Sequence, residues 1–280
     1  MYSLRYPLRY PIRRLPLSER IPDGMEVWLL ELDVGLSVPD AELALLSAEE
    51  RAHAQRFRRQ EDRVRSVATR AALRRLVGTR LMLPPDQLGF VVNAYGKPRL
   101  EGEPEIEFNV SHAGCCALIA LSTSGPVGVD IECEERVLDA KNLEELAAYV
   151  FSPLERHLAL QTSKDFIRHW VAKESVLKAL GLGISEHLQS VSILPRDDEA
   201  YKIAHDSPEW PEIQAWRLPV PDGYAAALAF QTHDRASTQG KSREVSRLTS
   251  WLPLSRLDPC QGRATYPQVC NQSVRQIDHA

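Results

Sequence analysis

Two short stretches carry side chains whose types and spacing could do chemistry together. In Gly128-Val-Asp-Ile-Glu132, Asp130 and Glu132 are two residues apart. On a strand both carboxylates leave the same side. Downstream, Trp170, Glu174 and Lys178 recur at i, i+4, i+8 within Trp170-Val-Ala-Lys-Glu-Ser-Val-Leu-Lys-Ala-Leu-Gly-Leu-Gly183. On a helix one face then carries a ring, a carboxylate and an ammonium. If strand and helix meet, three carboxylates converge with a lysine beside them. Such a cluster repels itself unless a cation fills it, and oxygen-only ligands favour a hard ion, Mg²⁺ before Zn²⁺. A hard ion with a nearby lysine is how proteins hold and cleave phosphate esters. Each part also has a plain reading. A same-face acid pair on a strand is usually a solvated face. Glu174 and Lys178 alone could be a surface ion pair worth about 0.2–0.5 kcal/mol. The flanking Trp170 and the Gly181-Leu-Gly183 ending argue otherwise, because a surface pair needs neither.

The elements that must position these residues can be read from pattern. Val27 to Asp33 is apolar enough for a buried strand. Ser47-Ala-Glu-Glu50 resembles a capping box before a helix. A long helix is expected from about Asp62 to Arg80, with Val64, Val67, Ala71, Leu73 and Leu76 on its buried side and Pro84-Pro85 to stop it. Phe90-Val-Val leads into a turn at Ala94-Tyr-Gly-Lys-Pro98. Ile106–Val110 and Cys116–Leu121 read as strands. After Pro126 the order resembles the first part: the strand Val127–Glu132, helices through Leu182, then strands at 191–194, 213–217 and 224–230. The strand pairs within Asn109–Leu121 and Gln214–Phe230 are counterparts in this repeat of roughly a hundred residues, well above solenoid periods. The expectation is an α+β fold of two similar halves, residues 23–126 and 127–231, the second with the metal site. A loose arm, residues 1–22, precedes them, and a mostly disordered tail, residues 232–280, follows, of which residues 235–280 are expected to be dispensable.

Bulk properties narrow the classes. The 280 residues are 44% hydrophobic and 26% charged, as in soluble globular proteins. A net charge of −4 gives no global pull toward nucleic acid or membrane. Arginine is concentrated between Arg51 and Arg80, opposed there only by Glu61 and Asp62. That is ordinarily a solvated face, and no zinc pattern, aromatic interleaving or helix-turn-helix signature supports nucleic-acid binding. The 5 cysteines form no CxxC pair, so a structural zinc site is not expected. The N-terminus lacks an apolar signal core and no stretch reaches membrane-spanning length, so the expected location is the cytoplasm. Trp170 and Trp216 are most simply core residues.

Five motifs in order resemble the 4'-phosphopantetheinyl transferase superfamily, of the long, surfactin-synthetase-activating type. They are Tyr95-Gly-Lys-Pro98, Asn109-Val-Ser-His112, Gly128-Val-Asp-Ile-Glu132, Phe151-Ser-Pro-Leu-Glu155 and Trp170–Gly183, and the likeness runs from about 25 to 230. Any one motif is a modest signal; five in order are strong. The resemblance implies two α+β halves about a pseudo-twofold axis, with the site in the cleft between them. It implies transfer of the phosphopantetheine arm of coenzyme A to a serine of an apo acyl or peptidyl carrier protein, leaving adenosine 3',5'-bisphosphate. A double-length chain of this type is expected to act as a monomer.

By position, the resemblance makes Asp130, Glu132 and Glu174 the Mg²⁺ ligands. Lys178 is the contact to the pyrophosphate that assists leaving. Ser111 and His112 contact the coenzyme A phosphates. Lys97, with Tyr95 and Gly96, is another coenzyme A contact, although on sequence alone a lysine in a Gly-Lys-Pro turn is more often exposed. Arg51 and Arg65 fall where the family has basic residues near the nucleotide. One departure stands out: Glu50 and His53 occupy places where relatives often carry lysines near the 3'-phosphate. Glu174 is the candidate base for the serine proton, directly or through water. Two alternatives stay open on residues alone. The same acids and lysine could serve a Mg²⁺-dependent nucleotide phosphohydrolase, or a non-catalytic protein that binds coenzyme A or a carrier. The intact acid set counts against the second.

Overall fold

The computed structural model describes residues 10–102, 105–135, 140–158, 162–196 and 198–232, all within one structural unit. The proposed tail from 233 onward and residues 1–9 of the arm lie outside the described residues.

The first half contains β1 (Ile12–Arg14), β2 (Met25–Glu31), α1 (Asp40–Leu43), α2 (Ala48–Gln55), α3 (Gln60–Leu81), β3 (Phe90–Val92), β4 (Pro98–Leu100), β5 (Glu107–Ala113) and β6 (Cys116–Ser122). The second contains β7 (Val127–Cys133), α4 (Ala140–Val150), α5 (Ser163–Leu180), α6 (Ile184–His187), β8 (Val191–Pro195), β9 (Ala200–His205), β10 (Ile213–Arg217) and β11 (Tyr224–Gln231). One sheet has the order β1-β2-β6-β5 and the other β7-β11-β10-β9-β8, with β3 and β4 as a separate ribbon. The repeat is visible in these orders. In each half the first long strand (β2 or β7) is followed by helices. The chain then returns as a hairpin (β5–β6 or β10–β11) whose last strand pairs antiparallel with the first.

Strand alternation distributes the core. On β2, Val27 and Leu29 face inward with Leu118 and Ala120 of β6 and pack in one cluster with Val129 and Ile131 of β7 and Leu228 and Phe230 of β11. The two sheets thus share a core. Trp28 and Leu30 point the other way and pack with Ala72, Leu73 and Leu76 of α3. All five apolar residues expected on the buried side of that helix are buried.

The arm expected to be loose is in part structured. Arg13 of β1 pairs with Leu29 of β2, and Tyr10, Leu15 and Ile21 are buried. Apolar side chains spaced between the prolines and arginines cover sheet edge and core, which composition alone obscured. β4 and β9 also went unread. β4 is only three residues long, and β9 (Ala200-Tyr-Lys-Ile-Ala-His205) shows weak alternation.

Candidate active site

The site starts from a close approach. Gly128 on β7 lies directly under α5: a Cβ there would collide with the Ser175 carbonyl oxygen and the Ala179 nitrogen, and would sit 3.0 Å from the carbonyl carbon of Lys178. The helix is anchored at both ends. Thr162 and Asp165 form a capping box at its start, and Gly181 ends it at φ +72°, in the left-handed region. With the backbones this near, the β7 residues two and four places on face α5 side chains. Lys178 Nζ lies 2.5 Å from Asp130 Oδ1 and 3.3 Å from Glu174 Oε2, and bridges them. Further along the same seam Arg168 of α5 meets Glu134 at 2.5 Å. The strand and helix face each other over the length that the two spacings required.

Asp130, Glu174 and Lys178 are all buried. Burial pushes the Glu174 carboxyl up to about 8; Asp130 and Glu132 push the same way, while Lys178 opposes. Burial works against the Lys178 ammonium, but Asp130 and Glu174 outweigh it and hold its proton more tightly than usual. Asp130 Oδ2 is buried and has no hydrogen-bond partner.

Two β5 residues reach across to β7, which belongs to the other sheet. The Val129 N–H donates to Asn109 Oδ1 at 2.8 Å. Ser111 Oγ donates to Asp130 Oδ1 at 2.7 Å and accepts from the Ile131 N–H at 3.3 Å. Ser111 was expected on a phosphate; here its hydroxyl orients the aspartate. His112, on the opposite side of β5, shares the α3 face with Phe108 and Val110. Burial and the nearby Arg65 push it down to about 4, so its ring is neutral at pH 7. Arg65 itself donates to the Gly114 carbonyl at 2.9 Å and pairs with Asp62 at 2.6 Å. It therefore stands at the β5–β6 turn beside His112.

Lys97 requires a correction. Only 7% exposed, its ammonium donates to the Val127 carbonyl at 2.9 Å and to the Lys178 carbonyl at 2.7 Å, closing the last turn of α5. Burial pushes it down to about 8. Two buried carbonyls claim the charge that sequence reasoning gave to a ligand. Gly96 supplies the turn at φ +82°. Tyr95 stands over Gly183, its ring edge toward His187. Asn93, which drew no notice in the sequence, builds this loop. Its Oδ1 accepts from the Tyr95 and Lys97 N–H groups, and its Nδ2 donates to the Gly181 carbonyl at 2.9 Å.

Arg51 is exposed on α2 and donates to the Leu46 carbonyl. Glu50, the departure noted above, closes the capping box with Ser47 and pairs with Arg70 and Arg74 of α3. That tie accounts for a carboxylate at this place. His53 is exposed and meets Phe57 edge-on.

Comparison with known proteins fits this geometry. The family model of the 4'-phosphopantetheinyl transferase superfamily matches residues 126–229, and that of the 4'-phosphopantetheinyl transferase N-terminal region matches 39–124. A putative 4'-phosphopantetheinyl transferase of Synechocystis sp. is 35% identical over 226 residues, covering 75% of this chain and 88% of that one. The 4'-phosphopantetheinyl transferase HetI of Nostoc sp. is 34% identical over 217 residues, with the same coverage. Sfp of Bacillus subtilis is 30% identical over 186 residues, 64% of this chain and 80% of that one.

The chain belongs to the 4'-phosphopantetheinyl transferase superfamily.

It is a transferase of the long, two-halved type. Two of its motifs acquire a structural meaning. Glu155, at the end of Phe151-Ser-Pro-Leu-Glu155, is fully buried and accepts from Lys173 Nζ at 2.5 Å, His169 Nε2 at 2.8 Å, the Ser152 N–H at 2.7 Å and the Ile193 N–H at 2.6 Å. Lys173, next to Glu174, also donates to the carbonyls of Val150, Leu188 and Val191. This network seats α5 against β8 and so fixes the rotation of the helix that presents Glu174. Sequence reading assigned neither residue a role, because i, i+18 partners leave no periodic signal. Trp170 is buried and stacked on Phe166, as a core residue.

Among the described residues no group of three His, Cys, Asp or Glu side chains is drawn to a common centre, since Lys178 bridges Asp130 and Glu174. The charge balance and chemistry nonetheless fit one. Asp130, Glu132 and Glu174 outnumber the single lysine, Asp130 Oδ2 is an orphaned buried oxygen, and every available donor is a hard oxygen. No helix among the described residues is long and apolar enough to cross a membrane.

Proposed function

We propose that this transferase moves the phosphopantetheine arm of coenzyme A to the serine hydroxyl of an apo acyl or peptidyl carrier protein, working as a monomer in the cytoplasm. The observation that carries the residue roles is the buried bridge Asp130–Lys178–Glu174, made by the contact of Gly128 with α5.

In this reading the serine oxygen attacks the β-phosphorus of the pyrophosphate, and adenosine 3',5'-bisphosphate leaves. Lys178 holds its proton firmly and supplies fixed positive charge where negative charge builds on the phosphate oxygens. To touch them it exchanges its weakest contact, the Val129 carbonyl at 3.5 Å. Glu174, as the carboxylate facing Lys178, takes the serine proton directly or through a water. Asp130, Glu132 and Glu174 would hold Mg²⁺, which when bound neutralises pyrophosphate charge. Ser111 keeps Asp130 aimed at the seam. His112 is neutral and gives a phosphate a hydrogen bond, and Arg65 beside it gives the charge. Tyr95 and Gly96, in the loop that Asn93 ties to the end of α5, would contact coenzyme A, and Arg51, exposed on α2, would meet its nucleotide end. Lys97 acts through the helix end it closes.

The test is the intact mass of several purified apo-carriers after incubation with the protein, coenzyme A and Mg²⁺. A gain of one phosphopantetheine on a serine supports the reading. Hydrolysis of coenzyme A at the same rate with and without carrier would sink it in favour of a phosphohydrolase.

A further inference from the structure

β5 and β7 are edge strands of the two sheets. β7 pairs with β11 on one side only, so Val127, Val129 and Ile131 turn backbone groups to an edge that no strand covers. Buried groups on such an edge must be bonded some other way. Side chains do it here. Lys97 donates to the Val127 carbonyl at 2.9 Å, the Val129 N–H donates to Asn109 Oδ1 at 2.8 Å, and the Ile131 N–H donates to Ser111 Oγ at 3.3 Å. Asn109 and Ser111 are two residues apart on β5, and Val129 and Ile131 are two apart on β7. The rungs keep step along both strands.

We infer that Asn109 is a positioning residue for the transfer reaction: with Ser111 it clamps the residue before Asp130 and the residue after it. The inference rests on the function proposed above and adds a residue that works through the backbone of β7.

Burial and register both support it. Asn109 is only 4% exposed, and a buried amide is ordinarily one whose polar atoms are bonded. An apolar side chain of similar size would fill the space but leave the Val129 N–H unbonded in a fully buried residue. Ser111 alone gives β7 one point of attachment, about which Asp130 could pivot. A second point two residues away, roughly 6.6 Å along the strand, removes that freedom. Alternation carries the effect further. Asn109 and Ser111 face the seam, while Phe108 and Val110 face α3, on the side where His112 also lies. A slip of one residue would exchange these faces. The Asn109 rung therefore also sets where His112 stands relative to Asp130.

The test is Asn109→Leu, which keeps the bulk and removes the acceptor. Single-turnover transfer at saturating coenzyme A should slow about tenfold. Hydrogen exchange at the Val129 amide should speed up, and calorimetric affinity for adenosine 3',5'-bisphosphate should stay at the wild-type value. Asn109→Asp keeps an acceptor oxygen in the same place. It should transfer faster than Asn109→Leu and keep the Val129 amide protected, and it reads the same point where leucine prevents folding. A wild-type rate in Asn109→Leu, or a folded Asn109→Asp with an unprotected Val129 amide, overturns the assignment. So does a loss of bisphosphate affinity that matches the loss of rate, which would make Asn109 a general support of the fold. A wild-type protein that transfers to no apo-carrier overturns the proposed function instead.

Discussion

Glu50 and Glu155 hold the same post in the two halves of the chain. Each ends a Ser-x-x-Glu box and accepts the backbone N–H of its serine, Ser47 or Ser152. Each takes a buried cation from the long helix of its half, Arg74 of α3 or Lys173 of α5. Each cation also donates to carbonyls of the segment that follows its helix, Pro85 and Leu88 for Arg74 and Leu188 and Val191 for Lys173, and Lys173 reaches the Val150 carbonyl before its helix as well. The internal repeat thus reaches the level of single ion pairs.

The two pairs differ in depth, and that difference sets a prediction. Both partners of Glu155–Lys173 are fully buried, whereas the Glu50 side chain is 16% exposed. Glu155→Ala strands an unpaired buried ammonium and should cost about 3–5 kcal/mol. Glu50→Ala, with water at hand and Arg74 still bonded to carbonyls, should cost about 1–2 kcal/mol. Urea unfolding of both variants checks the order; equal losses would show that depth does not govern these pairs.

His112 gives a pH signature. Its folded value lies near 4, below the ordinary value of about 6.5, chiefly through burial and then Arg65. The unfolded chain therefore binds more protons between these limits. The stability this residue contributes is complete above pH about 6.5 and is lost as pH falls toward 4. Partial exposure trims the effect to on the order of 2 kcal/mol. Denaturation at pH 7 and pH 4.5 should show a smaller pH dependence in His112→Gln than in wild type. Identical profiles would place the ring in water.

Gly128→Ala should be disproportionately damaging for one methyl group. The added carbon meets the α5 backbone, so the helix must lift from β7. Overpacking of this kind costs about 1–3 kcal/mol. The same lift pulls Lys178 off Asp130, so transfer should fall at least a hundredfold even at temperatures where the variant is folded. A folded variant with normal rates would show that the close approach is not what assembles the site.

At the seam itself, Asp130→Ala and Glu174→Ala should each lower Mg²⁺-dependent transfer on the order of a thousandfold or more. Lys178→Ala should slow transfer far more than it affects the melt, and Lys178→Arg should recover only part of the rate, because a planar guanidinium replaces a point charge. Ser111→Ala removes only the hydrogen bond that orients Asp130, and should cost about tenfold. Single-turnover assays beside thermal melts separate these cases. Near-wild-type rates for both acid variants would end the assignment of the acids.

What could be read from the sequence was what repeats or alternates. The long α3, the capping box at Ser47, the hairpins and the two-halved order all rest on local periodicity. The convergence of Asp130 with Glu174 and Lys178 followed from two spacings once strand and helix were allowed to meet. Long-range hydrogen bonding was not legible. Nothing local distinguishes Lys97, which is buried in a seam, from an exposed turn lysine, or Ser111 on a carboxylate from Ser111 on a phosphate. Glu155 and Lys173 could not be paired, since the segment between them folds back through tertiary contacts alone. β1 was hidden by prolines and arginines whose neighbours, not themselves, are buried.

Lys97 belongs to the first half, yet it closes the last turn of the helix that presents Glu174 and Lys178 in the second. Asn93 seals the same terminus from the same loop. Neither half therefore carries a finished active helix by itself. A chain cut in the turn between Ser122 and Val127 would yield two fragments, each inert, whose activity returns only when they associate. The joint between the halves thereby makes the enzyme a natural candidate for fragment complementation, with catalysis as the readout of proximity.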